Sequence, residues 1–217
     1  MKIGFNEATA LECKGQSLMA DLEMCEKYGF DYIEIRFDCL KEYLKEHTLE
    51  ELAEWFAAHH LKPWAYNTLL YFNQRDEEGR REIEAETEFI LNVSKKIGMK
   101  MLITVPSCGI KDKTVGEIKE EAVEQLRHLS DKVGSDMRIS LEFCGAWDCS
   151  INQFGTAYDI VKEVDRDNVG ITLDTFHFHE MCSRLEDLKA ADGKKIFAYH
   201  LNDCEERFCK EIFRINY

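Results

Sequence analysis

One pattern recurs along this chain and leaves few folds open to it. A short apolar, β-branched run ends in a polar side chain, and a stretch of helical periodicity follows. The pattern appears seven times at a spacing of roughly 30 residues. Its clearest instance is Val169-Gly170-Ile171-Thr172-Leu173-Asp174, which continues into Thr175-Phe176-His177-Phe178-His179. The first half reads as a strand buried on both faces. The second half delivers a carboxylate and two imidazoles.

The other strands are expected at 2–6, 31–36, 61–67, 101–105, 139–142 and 196–200. Helix boundaries are marked between them. Ser17 can cap a helix that Gly29 ends, and Thr48 with Glu51 and Thr114 with Glu117 have capping-box spacing. Gly98 and Gly134 read as helix stops, a helix covers 154–164, and Ser183 with Glu186 is expected to cap a short helix. Leu69 to Asp76 is expected to be a loop over the mouth of the fold.

Strands alternating with amphipathic helices give an α/β fold with a parallel sheet and right-handed crossovers. A (β/α)8 TIM barrel fits better than an open doubly wound sheet, for two reasons. Polar residues stand at nearly every strand end: Asn6, Glu34 and Arg36, Asn67, Thr104, Glu142, Asp174 and His200. No glycine-rich phosphate turn follows the first strand. About seven of the eight strands are visible, so the barrel is expected to be incomplete at the C-terminus. Residues 1–203 would form it, with 204–217 a divergent tail in which Phe208, Ile212 and Ile215 have helical spacing.

Glu142, Asp174 and His200 lie 32 and 26 positions apart, about one strand–helix unit each time. Adjacent strands would therefore aim two carboxylates and an imidazole at one point, a ligand set for a divalent metal such as Zn, Mn, Co or Mg. Asp174 has a plainer alternative as the cap of a following helix. His177, three residues on, reads plainly as a packed helix-start residue. Asn6, Glu34 and Asn67 are candidate pocket residues, and Arg36 is expected to pair with Glu34.

Composition removes several function classes. The formal charge of −14 argues against nucleic acid as a partner, because duplex binding needs clustered Lys and Arg. No apolar run approaches the length that spans a bilayer. Nine cysteines at irregular spacing read as reduced thiols, which points to the cytoplasm.

The chain resembles the xylose isomerase-like (β/α)8 barrels, a group of sugar isomerases, sugar epimerases and abasic-site endonucleases. The stretches that carry the resemblance include Phe5-Asn6-Glu7-Ala8-Thr9, Tyr32-Ile33-Glu34-Ile35-Arg36, Asp167-Asn168-Val169-Gly170, Leu173-Asp174-Thr175-Phe176-His177-Phe178-His179 and Ala191-Asp192-Gly193-Lys194-Lys195-Ile196-Phe197. Within the group it is most similar to the inosose isomerases of myo-inositol catabolism. The resemblance implies a single divalent cation on Glu142, Asp174 and His200, with Glu142 also a catalytic base and His177 bonded to a substrate hydroxyl. It implies a small cyclic polyol or sugar as substrate and conversion of 2-keto-myo-inositol to 1-keto-D-chiro-inositol. A ketose 3-epimerase is the alternative on the same site. The group's fourth ligand, a Glu of strand eight, has no counterpart in these residues. Impaired chemistry and self-association through open barrel edges are the corresponding expectations.

Overall fold

A computed structural model of the chain describes residues 2–204, so the tail containing Phe208, Ile212 and Ile215 lies outside the described residues. The chain divides into two compact units, Met1–Leu69 with Arg81–Ile103 and Leu70–Arg80 with Thr104–Tyr217. Strand order follows chain order from the first strand to the seventh. Among the described residues no helix is long and apolar enough to cross a membrane.

In the first unit, β1 (Gly4–Asn6) runs into a 3-10 turn (Glu7–Ala10), then α1 (Leu18–Tyr28) and β2 (Tyr32–Arg36). Ser17 caps α1 and Gly29 closes it at φ +77°, as the spacing predicts. α2 (Phe37–Tyr43) follows directly on β2 and was not apparent from sequence, because seven residues are too few to show a helical period. α3 (Leu49–Ala58) carries the full Thr48–Glu51 capping box and buries Leu52 and Phe56. β3 (Lys62–Leu70) is longer than its apolar run suggests, so Leu69 and Leu70 belong to the strand and not to the expected loop. Leu69 is buried, and that burial extends the strand past the polar Asn67-Thr68 pair. α4 (Glu77–Ile97) and β4 (Met101–Val105) complete the series. β1 pairs with β2 and β2 with β3, all in parallel. Arg36 forms a two-pronged ion pair with Asp38, two residues along and already on α2, rather than with Glu34.

In the second unit, α5 (Val115–Val133) leads to β5 (Arg138–Glu142), α6 (Phe154–Val164), β6 (Val169–Asp174), α7 (Thr175–Glu180), α8 (Leu185–Ala190) and β7 (Ile196–His200). α5 buries Ile118, Ala122, Leu126, Leu129 and Val133, and α6 buries Phe154, Ala157, Ile160, Val161 and Val164. These are helical stripes. Truncating a side chain as buried as Leu126 costs about 2–5 kcal/mol. Ser183 does not cap α8, which starts after Arg184 with no side-chain cap. Its Oγ instead accepts the Phe154 N–H at 3.0 Å, capping α6 where Gln153 offers no side-chain bond.

β6 pairs in parallel with β5 on one side and β7 on the other. Side chains alternate between faces along a strand. Ile139, Leu141, Ile171 and Leu173 therefore share one face. Ser140, Glu142, Thr172 and Asp174 share the other, where the Ser140 and Thr172 hydroxyls bond at 2.7 Å. One residue of β7 is out of register: Ile171 stands opposite Ile196, but Thr172 stands opposite Ala198. Phe197 is the bulged residue. A Cβ on Gly170 would lie 2.5 Å from the Lys195 carbonyl oxygen and 2.6 Å from the Phe197 ring, so only glycine fits there. Above the bulge, Asp174 faces His200.

Among the described residues seven cysteines are free thiols, but Cys182 is disulfide-bonded, so the expectation of reduced thiols throughout does not hold.

Glu7 is fully buried in the first unit, where its Oε2 accepts the Arg36 N–H at 2.6 Å. Its Oε1, and Oδ2 of the neighbouring Asp21, find no donor among the described residues. Burial, reinforced by the Asp21 charge, pushes the Glu7 carboxyl up to about 8, beyond what the Arg36 bond offsets. The protonated form is thus favoured by folding. The stability it contributes is complete below the ordinary carboxyl range and is lost as pH rises toward 8. We predict that the melting temperature falls between about pH 5 and about pH 8, and that Glu7→Gln flattens this slope by fixing a neutral group. Scanning fluorimetry across that range checks it, and an unchanged slope in the variant would refute it.

Candidate active site and metal centre

Glu142 and Asp174 end β5 and β6, and each is nearly buried, at 6 % and 4 % exposure. His200 ends β7. Its Nδ1 lies 2.8 Å from Glu142 Oε1 and 3.7 Å from Asp174 Oδ2. The three strand ends named from the sequence are therefore together. A fourth group joins them: Glu142, Asp174 and His177 each offer a ligating atom within 4.8 Å of the others.

The Asp174 carboxylate is held from several directions. Oδ1 accepts the His177 N–H at 3.0 Å, which caps α7. Oδ2 accepts from Asn202 Nδ2 at 2.5 Å. Asn202 is tied in turn to Thr175, whose Oγ1 accepts the Asn202 N–H at 2.8 Å. Burial alone would raise the Asp174 pKa. The His200 bond, the His177 N–H and the nearby imidazoles outweigh it and hold the carboxyl below its ordinary value. The capping role and a place among the candidate ligands are thus compatible, one oxygen serving each.

The two imidazoles differ in what they can offer. The Gly145 N–H donates to His177 Nδ1 at 3.0 Å. That bond uses the Nδ1 lone pair, so the neutral ring carries its proton on Nε2 and presents a donor. His200 has Nδ1 facing two carboxylates. The 2.8 Å contact between the ring and Glu142 is a hydrogen bond, and a cation held there would take the place of its proton. Two buried carboxylate groups and one nitrogen suit a divalent ion in donor type and charge.

The remaining sequence candidates have local roles in the first unit. Asn6 Oδ1 accepts the Ala8 N–H at 2.9 Å and caps the 3-10 turn. Asn67 Nδ2 donates to Glu34 Oε2 at 3.1 Å. Asn202 and Gly145 escaped the sequence reading. Asn202 stands two residues beyond His200, on the same face of an extended chain, and that offset was the available signal. Gly145 acts through its backbone and gives no such signal. A separate concavity of about 540 Å3, lined by Ser130, Asp131, Arg138 and Asp167, lies at the start of β5 and contains none of the strand-end carboxylates.

A family profile described as xylose isomerase-like TIM barrel matches residues 22–210. An inosose isomerase of Bacillus velezensis is 50 % identical over 208 residues, covering 95 % of this chain and 74 % of that protein. An inosose isomerase of Bacillus subtilis is also 50 % identical, with the same coverage. A crystal structure of the IolI protein with a bound zinc atom superposes with a TM-score of 0.92 at 50 % identity, covering 95 % of this chain and 74 % of that one. D-psicose 3-epimerase of Clostridium cellulolyticum H10, at 23 % identity, 94 % and 74 % coverage and a TM-score of 0.75, shares the fold.

Gly145 packs so closely that an added Cβ would lie 2.8 Å from His177 Cα and 3.0 Å from its carbonyl oxygen. Backbone atoms cannot yield as a flexible side chain would. We predict that Gly145→Ala costs about 1–3 kcal/mol in stability and loosens the bond to His177 Nδ1. Denaturant melts and the nitrogen chemical shifts of the His177 ring check both parts, and a variant unchanged in both would show that the contact is not constraining.

Proposed function

Because the chain belongs to the xylose isomerase-like TIM-barrel family, we propose that it is an isomerase that moves a ketone between adjacent carbons of a cyclic polyol, with 2-keto-myo-inositol converted to 1-keto-D-chiro-inositol. The observation that carries this reading is the meeting of Glu142, Asp174 and His200 at three successive strand ends, with His177 beside them. The inosose isomerases at 50 % identity and the zinc atom of the IolI structure support it.

In this reading Glu142, Asp174 and His200 hold the divalent cation, and their oxygen and nitrogen donors suit zinc among others. The cation, when bound, polarises the substrate carbonyl and stabilises negative charge on its oxygen. The reaction needs a proton taken from the carbon beside the ketone and a proton returned to the neighbouring carbon. Glu142 is the group assigned to take it, since a carboxylate at the strand end meets the requirement of reach. His177 presents Nε2–H, held in that tautomer by Gly145, and donates it to a substrate hydroxyl. Asn202 and the His177 N–H keep Asp174 from turning away.

The test is turnover of 2-keto-myo-inositol, followed by NMR in the presence of zinc, manganese, cobalt or magnesium. Glu142→Gln is expected to lose at least about 100-fold in rate with its circular dichroism unchanged. Asp174→Ala is expected to lose calorimetric affinity for the cation. Full activity of the Glu142 variant would exclude it as the base, and equal cation affinity in the Asp174 variant would remove the proposed centre.

A further inference from the structure

Three cysteines converge in the second unit, and the reaction described above uses none of them. Cys108 follows β4, while Cys144 and Cys149 lie in the segment after β5. We propose that Cys108 and Cys149 form a reversible disulfide, a redox modification site whose oxidant is a small disulfide of the glutathione type.

The backbone carries the argument. The Gly109 N–H donates to the Asp148 carbonyl at 2.9 Å, and the Ser150 N–H donates to the Ser107 carbonyl at 2.9 Å. These two bonds flank Cys108 and Cys149, which form an antiparallel bridge. The pair is therefore the non-hydrogen-bonded kind, in which the facing Cα atoms stand about 4.5 Å apart. That separation falls within the roughly 4.4–6.8 Å that a disulfide spans. The two side chains leave the same face, and the thiols reach each other as hydrogen-bonding partners.

Exposure divides the labour. Cys108 is exposed and meets the oxidant, whereas Cys149 is 5 % exposed. The Cys108 thiolate displaces one thiolate from the small disulfide and becomes a mixed disulfide. The Cys149 sulfur, releasing its proton to water, attacks the Cys108 sulfur and expels the second thiol. Two protein thiols are oxidised and one small disulfide is reduced to two thiols, and excess thiol reverses the sequence.

Cys144 also touches the Cys149 thiol. The chain between them is folded back on itself by the Ala146 N–H to the Cys144 carbonyl and the Cys149 N–H to the Ala146 carbonyl, so the two are not a facing pair. Cys108 is the partner the backbone favours. The bond would fasten residues 107–109 to the segment whose Gly145 N–H holds His177. The redox state of the pair would then set how firmly that ring is positioned. The site stands independently of the isomerase reading.

The test equilibrates the full chain without oxygen in mixtures of reduced and oxidised glutathione near pH 8. Acid quenching, alkylation and peptide mapping by mass spectrometry follow. A Cys108–Cys149 linked peptide is expected to accumulate as the oxidised fraction rises and to disappear with excess reduced glutathione. It should persist in Cys144→Ser and be lost in Cys108→Ser and in Cys149→Ser, with each variant's fold verified by circular dichroism. Full alkylation of both thiols across the series would overturn the proposal. So would a link from Cys149 to Cys144 in the unaltered chain.

Discussion

The Asp174 carboxylate is the interaction on which the second unit's chemistry depends. One oxygen ends β6 and starts α7 by accepting the His177 N–H. The other is bonded by Asn202, just beyond β7, and faces the His200 ring. A single side chain thus fixes a helix start, ties a strand end to the segment that follows its neighbour and orients a candidate ligand. Left alone at 4 % exposure, the charge would be costly. Three neighbouring groups make it tolerable, and they hold its pKa below the ordinary carboxyl value despite burial. Buried acids elsewhere show the contrast. Glu7 has one donor and an acidic neighbour, and its pKa rises instead.

Burial of apolar surface fixes the frame around that charge. Ile139, Leu141, Ile171 and Leu173 are buried, as are the stripes of α5 and α6. The opposite face of β5 and β6 carries hydroxyls and carboxylates that satisfy one another or meet the two imidazoles. Alternation with a period of two therefore separates a face that stabilises the unit from a face that can react. The family's fold uses the same separation at the C-terminal ends of its strands.

Much of this was legible in the chain. The order of strands and helices could be read because long helices such as α4 and α5 show their period, and Thr48, Thr114, Gly29 and Gly134 mark their ends. Glu142, Asp174 and His200 were legible because each closes an apolar run. The short α2 was hidden, as was the extension of β3 through Leu69 and Leu70. Ser183 looked like the cap of the helix next to it and serves α6 instead, a long-range partner that local spacing cannot reveal. The bond that selects the His177 tautomer comes from a main-chain N–H, which has no letter in a sequence. Cys108 and Cys149 are 41 positions apart and are brought together only by the antiparallel bridge.

The bulge at Phe197 has a consequence for how β7 can vary in length. Straight pairing continued from Ile196 opposite Ile171 would place Tyr199, not His200, opposite Asp174. The extra residue shifts the pleat by one step, so the strand changes phase between its first residue and its last. A change of one residue in length between Ile196 and His200 would exchange the two faces at the strand end and substitute a phenol or an isobutyl group for the imidazole. Two-residue changes keep the phase but move the ring by a full pleat. The length of β7 is therefore set by the phase its end must reach, and the bulge that sets this phase packs the Phe197 ring and the Lys195 carbonyl oxygen against Gly170, four residues before the carboxylate.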